Sequence, residues 1–306
     1  MVTQPIHTRF APTPSGWLHI GNALSFIITW LNARSADNGT IHLRIDDIDG
    51  ERAREEFIED IFTGIDWLGL DYDTGPTSVD GFFKEHSQHT RLDLYNSYLH
   101  QLKEKGLLFA CNCSRKRVHD LPGGMYDGHC LNLHLPFDVH ETNWRVITPE
   151  EKSNISFNSV WADYPPIDLY TDMRHFIVKG KNGRAAYQMA SVADDVLYNI
   201  NFIVRGQDLL QSTAAQTYLA TLLPGLQSFT QTKFLLHPLI MGENGEKLSK
   251  SKGATALVDM REAGHDASAV FIQASKMLNL PACTNAKELF AVFKENNSPS
   301  LFRRGG

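Results

Sequence analysis

Between Thr8 and Lys105 short apolar runs alternate with longer stretches of helical periodicity, and that alternation restricts the fold more than any other feature of the chain. Thr8–Ala11 reads as a strand ended by Pro12 and Pro14, which have no N–H for a ladder. From His19 to Ala36 the residues Leu24, Ile27, Ile28 and Leu31 recur at helical spacing, and Gly39 marks the stop. Ile41–Ile45 reads as a second strand. Helices are expected over Ala53–Leu68 and Lys84–Lys105, the latter capped by Gly106. Strand, helix, strand, helix is the order of a parallel sheet covered by helices, an α/β fold of Rossmann-like type.

Leu107 to Trp161 breaks the rhythm. It is polar, holds three of the four cysteines and reads as an insertion. The pattern then resumes. Phe176–Val178 and Ala185–Tyr187 flank a Lys-Asn-Gly turn, the signature of a hairpin. A helix is expected over Gln188–Leu197, a strand over Asn201–Arg205 and a helix over Asp208–Leu222. An apolar run follows over Lys233–Met241, with short helices from Leu257 onward. The expected division is 1–106 and 162–256 as two halves of a catalytic core, 107–161 as the insertion and 257–306 as a short helical tail.

A chain of 306 residues that is 42% hydrophobic can bury a large core. Its net charge of -6 gives no broad basic footprint for nucleic acid, which leaves only local patches such as Arg115, Lys116 and Arg117. No apolar run approaches the roughly 18 residues of a membrane span, and the first residues lack a secretory pattern. Four cysteines with a tight Cys-x-Cys favour a reduced, cytoplasmic setting and a metal over disulfides.

Two segments carry chemistry. Arg9 to Gly21 reads RFAPTPSGWLHIG and places His-x-Gly where a strand gives way to a helix. Such a junction offers free backbone N–H groups to a phosphate. Lys247 to Ser251 reads KLSKS, a distant loop whose two lysines can reach the same phosphates. Together they resemble the two ATP signatures of class I aminoacyl-tRNA synthetases. The resemblance implies catalytic roles for His19, Lys247 and Lys250, ATP contacts from His19, Gly21, Asp208 and Lys250, and Mg²⁺ with the ATP. A helix N-cap is the alternative role for Asp208.

The match is to the glutamyl branch. Arg9, Ala11, Thr13, Asp46, Tyr187 and Arg205 line up with the residues that hold the amino acid there. The residue types suit an acidic substrate: arginine pairs with a carboxylate and an acid holds the α-ammonium. Asn22 replaces the second His of the motif, Asp46 a more usual Glu, Thr13 a Ser and Ser191 an Asn. Asp194 and Asp195 match an acidic pair without an assigned role.

Cys111, Cys113 and Cys130 are soft ligands for a structural Zn²⁺, which takes four. Chemistry alone favours His129 as the fourth. Cys-x-Cys with Tyr126-Asp-Gly-His-Cys130 also resembles the zinc site of glutamyl-queuosine tRNA(Asp) synthetases, which implies Tyr126 instead. Cys283 reads as a core residue. The segment after the lysine loop has room for a few short helices and not for an anticodon-binding domain, as in that same family. The resemblance implies an AMP-forming ligase acting on ATP, L-glutamate and queuosine-bearing tRNA(Asp), as a monomer and away from membranes. A compact glutamyl-tRNA synthetase charging a 3′ end and a non-catalytic tRNA- or zinc-binding paralogue are the alternatives.

Overall fold

The structure is a computed structural model that describes residues 5–50, 53–139, 141–151, 153–239 and 256–296. Strand β1 (His7–Phe10) pairs in parallel with β2 (Thr40–Leu43), and helix α1 (Ile20–Ser35) makes the crossover. α1 starts at a reciprocal cap. The His19 ring accepts from the Asn22 N–H at 3.3 Å and the Asn22 side chain accepts from the His19 N–H at 3.1 Å. The Asn that departs from the family motif therefore closes the cap. Beyond the helix Gly39 lies so close to Ala33 that a Cβ would fall 2.0 Å from its carbonyl oxygen.

Helix α2 (Glu55–Trp67) follows, then α3 (Leu92–Glu104). The expected continuous helix over Lys84–Lys105 is broken. A π-turn over Phe82–His86 and a 3₁₀ turn over Gln88–Arg91 precede α3. The cause is Asp47, whose buried carboxylate accepts from Ser87 Oγ and from the Gln88 N–H at 2.7 Å. Donors taken by a distant acid are lost to the helix, and Ser87 turns extended.

β3 (Leu108–Cys111) and β4 (Asn143–Val146) are antiparallel, and β4 also pairs with β6 (Ile177–Lys179), which lies beyond residue 161. Between them in sequence, β5 (Asn158–Ser159) joins the main parallel layer beside β8 (Lys233–His237), which pairs with β7 (Phe202–Gly206). The Asn201 N–H donates to the His7 carbonyl at 2.9 Å and ties the start of β7 to β1. The expected hairpin is a single bridge, Lys179 to Ala185, because Ala186 caps helix α4 (Tyr187–Leu197) and Tyr187 is its first residue. After a 3₁₀ turn over Gln207–Leu209 comes α5 (Leu210–Leu222). The last described elements are α6 (Leu257–Glu262), α7 (Ser268–Met277) and α8 (Ala286–Asn296), with Cys283 buried among them.

Successive strand residues face opposite ways. Phe202, Val204 and Leu235 join the core around α1, α2, α7 and α8, whereas Ile203 and Phe234 join the one around α3, α4 and α5. The parallel layer is thus covered on both faces, as an apolar central strand requires. Among the described residues no helix is long and apolar enough to cross a membrane.

His42 on β2 stacks on Tyr198 at 4.0 Å and meets Thr74 Oγ1 at 2.8 Å. Burial, followed by nearby Arg44, lowers its pKa to about 4. A folded pKa below the unfolded value of about 6.5 means that its stabilising share is complete above pH 6.5 and is lost as pH falls towards 4. Urea unfolding at pH 7.5 and pH 5 is expected to show a drop that His42→Gln reduces by roughly 1–2 kcal/mol.

Candidate active site

The strands of the parallel layer end at one edge, where a cavity of about 420 Å³ opens beside the first turn of α1. Crevices at the carboxyl ends of such strands are where α/β folds bind ligands. β1 delivers Arg9 and Ala11, the chain after β2 delivers Arg44 and Asp46, and β7 delivers Arg205 with Asp208 just beyond. α1 contributes His19 and Gly21, and α4 contributes Tyr187. The structure therefore brings together Arg9, Ala11, His19, Gly21, Asp46, Tyr187, Arg205 and Asp208. Thr13 instead lines an adjoining cavity of about 840 Å³, which shares Asp46 and Tyr187 with the first. Lys247 and Lys250 lie outside the described residues. Asp208 sits within the 3₁₀ turn, and the cap position belongs to Gly206.

The floor of the smaller cavity is a buried ionic cluster. Asp195, fully buried, accepts from Arg9 Nε at 3.0 Å and from Arg44 Nη1 at 2.7 Å. Burial alone would raise the Asp195 carboxyl. Arg44, Arg9 and Arg205 outweigh it and hold the group below the usual carboxylate range. Arg44 also forks onto Asp46, Nε to Oδ1 at 2.6 Å and Nη2 to Oδ2 at 3.0 Å, and reaches Ser191 Oγ at 3.2 Å. Ser191 thus touches the cluster through Arg44. Asp194 serves a separate one: it accepts from Arg91, from Tyr95 Oη at 2.7 Å and from Gln88 Nε2 at 2.9 Å, joining α4 to α3.

Arg205 is 4% exposed. Its Nη1 donates to Gln216 Oε1 at 2.8 Å, but Nε and Nη2 have no partner among the described residues. Burial, with Arg9 and Arg44 adding like charge, disfavours its ionised form. A buried guanidinium on a cavity wall suits an anion. Arg205→Ala is expected to lower kcat/KM for an acidic substrate by about 10²–10³-fold, and Arg205→Lys to restore little of it. Steady-state kinetics on the two variants checks this.

Sequence reasoning left out Arg44 and Gln216. The signal for Arg44 was present: Arg44 and Asp46 are spaced for one face at the carboxyl end of an apolar strand.

A second cluster sits on β3 and the loop after it. The Sγ atoms of Cys111, Cys113 and Cys130 lie within 4.8 Å of one another, with Cys113 and Cys130 3.5 Å apart. A tetrahedral thiolate site with bonds of about 2.3 Å needs sulfurs just under about 4 Å apart, so the spacing can hold a metal. Tyr126 is buried against them. Its hydroxyl accepts from the Cys130 N–H at 2.8 Å, and Arg145 covers its ring at 3.8 Å. His129 is exposed.

Residues 5–291 match the family described as tRNA synthetases class I (E and Q), catalytic domain. A glutamyl-Q tRNA(Asp) synthetase from Synechococcus sp. (strain CC9605) is 36% identical over 275 residues, which cover 90% of this chain and 83% of that one. Its counterpart from Symbiobacterium thermophilum is 35% identical, with 93% and 91% covered. The structure also overlays that of a glutamate tRNA ligase from Elizabethkingia meningosepticum at a TM-score of 0.74. The sequences there are 20% identical, and the overlay covers 95% of this chain and 65% of that one, a likeness of fold. By its family match and by relatives that align along most of both chains, this chain belongs to the class I (E and Q) tRNA synthetases, in the glutamyl-Q tRNA(Asp) synthetase family.

Proposed function

We propose that the chain activates L-glutamate with ATP and passes the glutamyl group to queuosine in tRNA(Asp). The glutamate carboxylate attacks the α-phosphate, pyrophosphate leaves, and a hydroxyl of the queuosine cyclopentenediol then displaces AMP from the mixed anhydride. The observation that supports the first half is the buried Arg205, which has two guanidinium nitrogens without a partner among the described residues and lines a cavity that also holds Asp46. Arg205 and Arg9 suit the side-chain carboxylate, and Asp46 with Tyr187 suits the ammonium end. His19 and Gly21 set the α1 N-terminus at the phosphates, where donors stabilise charge that grows in the transition state. Lys250 and Lys247 are assigned to the same charge, and Asp208 to the ribose. Mg²⁺ accompanies ATP and neutralises phosphate charge.

The larger cavity, which meets the first at Asp46 and Tyr187, is assigned to the acceptor nucleoside, with Thr13 on its wall. Arg115, Lys181 and Arg184 line it and suit the phosphates of an RNA loop. Cys111, Cys113, Cys130 and Tyr126 are assigned to a structural Zn²⁺. Burial pushes the Cys113 thiol up to about 12, and a bound cation would favour its ionised form. The enzyme is taken to act as a cytoplasmic monomer.

The test uses ATP, radiolabelled glutamate and tRNA(Asp) prepared with and without queuosine. Label is expected on the queuosine-bearing tRNA alone, and it should survive removal of the 3′ end. Label lost with the 3′ end would identify a compact glutamyl-tRNA synthetase. No label and no ATP–pyrophosphate exchange would point to a different amino acid or to a binding protein.

A further inference from the structure

One carboxylate outside the cavity lining ties the Leu18–His19 backbone to helix α6. Asp60, buried on α2, accepts the Leu18 N–H on Oδ2 at 2.8 Å. Its Oδ1 is paired with Arg261 of α6. The Leu18 carbonyl in turn accepts the Leu257 N–H, the first of α6, at 2.8 Å, and His19 bridges Ala256 in antiparallel fashion. The contacts close a ring: Asp60, Leu18, Leu257, the turn of α6 and Arg261 back to Asp60. Leu18 is gripped through both its backbone groups, immediately before the His19 that caps α1. One turn along α2, Gly64 leaves room for the same assembly. A Cβ there would lie 2.8 Å from Leu18 Cδ1, with Arg261 and Leu257 just behind.

We propose that Asp60 is a positioning residue for glutamate activation, fixing the Leu18–His19 backbone and the start of α6 to α2 as one frame. The inference rests on the assignment of His19 to ATP. A buried acid is stable only if its oxygens are well supplied with donors, and here one donor lies within the first nucleotide motif and the other on the helix that follows the second. Neither Asp60 nor Arg261 lines the cavity, so each acts through the backbone it holds. A shift of about 1 Å in a group facing the reacting phosphate is enough for roughly a hundredfold in rate.

ATP–pyrophosphate exchange by the full chain, at saturating ATP and varied glutamate, reads this directly. Asp60→Asn and Arg261→Gln are each expected to lower the exchange kcat by at least about tenfold while the glutamate KM stays within about twofold. Arg261→Lys should recover much of the loss. The double variant should be little worse than either single one, because both break the same ring. Melting curves fix a temperature at which every variant is folded. Should Asp60→Asn fail to fold, Arg261→Gln and Gly64→Ala carry the test. Folded variants with unchanged kcat, whatever their melting temperature, would mean a purely structural salt bridge and overturn the proposal. So would a loss seen only in glutamate KM. Exchange absent from the unmodified chain would instead overturn the assigned function, and this inference with it.

Discussion

Asp195→Ala is expected to remove about 3–5 kcal/mol of stability, a large part of the roughly 5–15 kcal/mol that holds a domain together. The reason is an imbalance of buried charge. Asp195 neutralises Arg9 and Arg44 directly and lies within the field of Arg205. With the carboxylate gone, three guanidiniums share one buried region with Asp46 as the remaining acid of the cluster. Arg9 Nε and Arg44 Nη1 each lose an acceptor, and a buried donor left without one carries its desolvation cost. Asp195→Asn keeps an acceptor of the same shape and is expected to lose less than the alanine variant. Urea unfolding of the three proteins measures the order. An alanine variant within about 1 kcal/mol of the parent would show that the cluster is not the keystone of the pocket floor. The glutamate KM of the asparagine variant should rise as well, because Arg9 and Arg44 are held in place by the group that was changed.

The α/β order was legible because strand and helix periods are local properties. Phe202, Val204 and Leu235 had to face one way, and α1 needed only its apolar stripe and the Gly39 stop. What escaped the sequence were features that depend on distant partners. The break at Ser87 comes from Asp47, forty positions earlier. The break is invisible to periodicity because the competing acceptor arrives through the fold. Arg44 acquires its role only where β2 meets α4, so its pairing with Asp195 could not be read along the chain. The single bridge at Lys179–Ala185 has the same character: the Lys-Asn-Gly turn is real, but Ala186 and Tyr187 are already committed to a helix. The three cysteines were the opposite case. Their chemistry is specific and their spacing short, and the fold brings them within 4.8 Å. Tyr126 is buried beside them and His129 is exposed, a difference that spacing does not give.

Cys111→Ser is expected to abolish binding of the proposed zinc and, with it, to lower transfer to tRNA by at least about a hundredfold, while ATP–pyrophosphate exchange falls only severalfold. The separation follows from which walls the cysteine loop supplies. Cys113, Ser114 and Arg115 line the larger cavity, and Lys181 on its rim donates to the Asn112 carbonyl at 3.1 Å, between two of the cysteines. None of these residues lines the smaller cavity, which is built from the ends of β1, β2, β7 and β8 and from α1 and α4. Freeing the loop therefore disturbs the acceptor side and leaves the activating side standing. Small zinc fingers unfold outright without metal. Here β3, β4 and β6 anchor the loop to a larger core, so the chain should stay folded. Elemental analysis should find one zinc per chain in the parent and little in the variant. Single-turnover transfer from preformed glutamyl-adenylate then isolates the second step. Equal losses in exchange and transfer would break the link drawn between the cysteine loop and the acceptor, and would make the metal a support for the whole core.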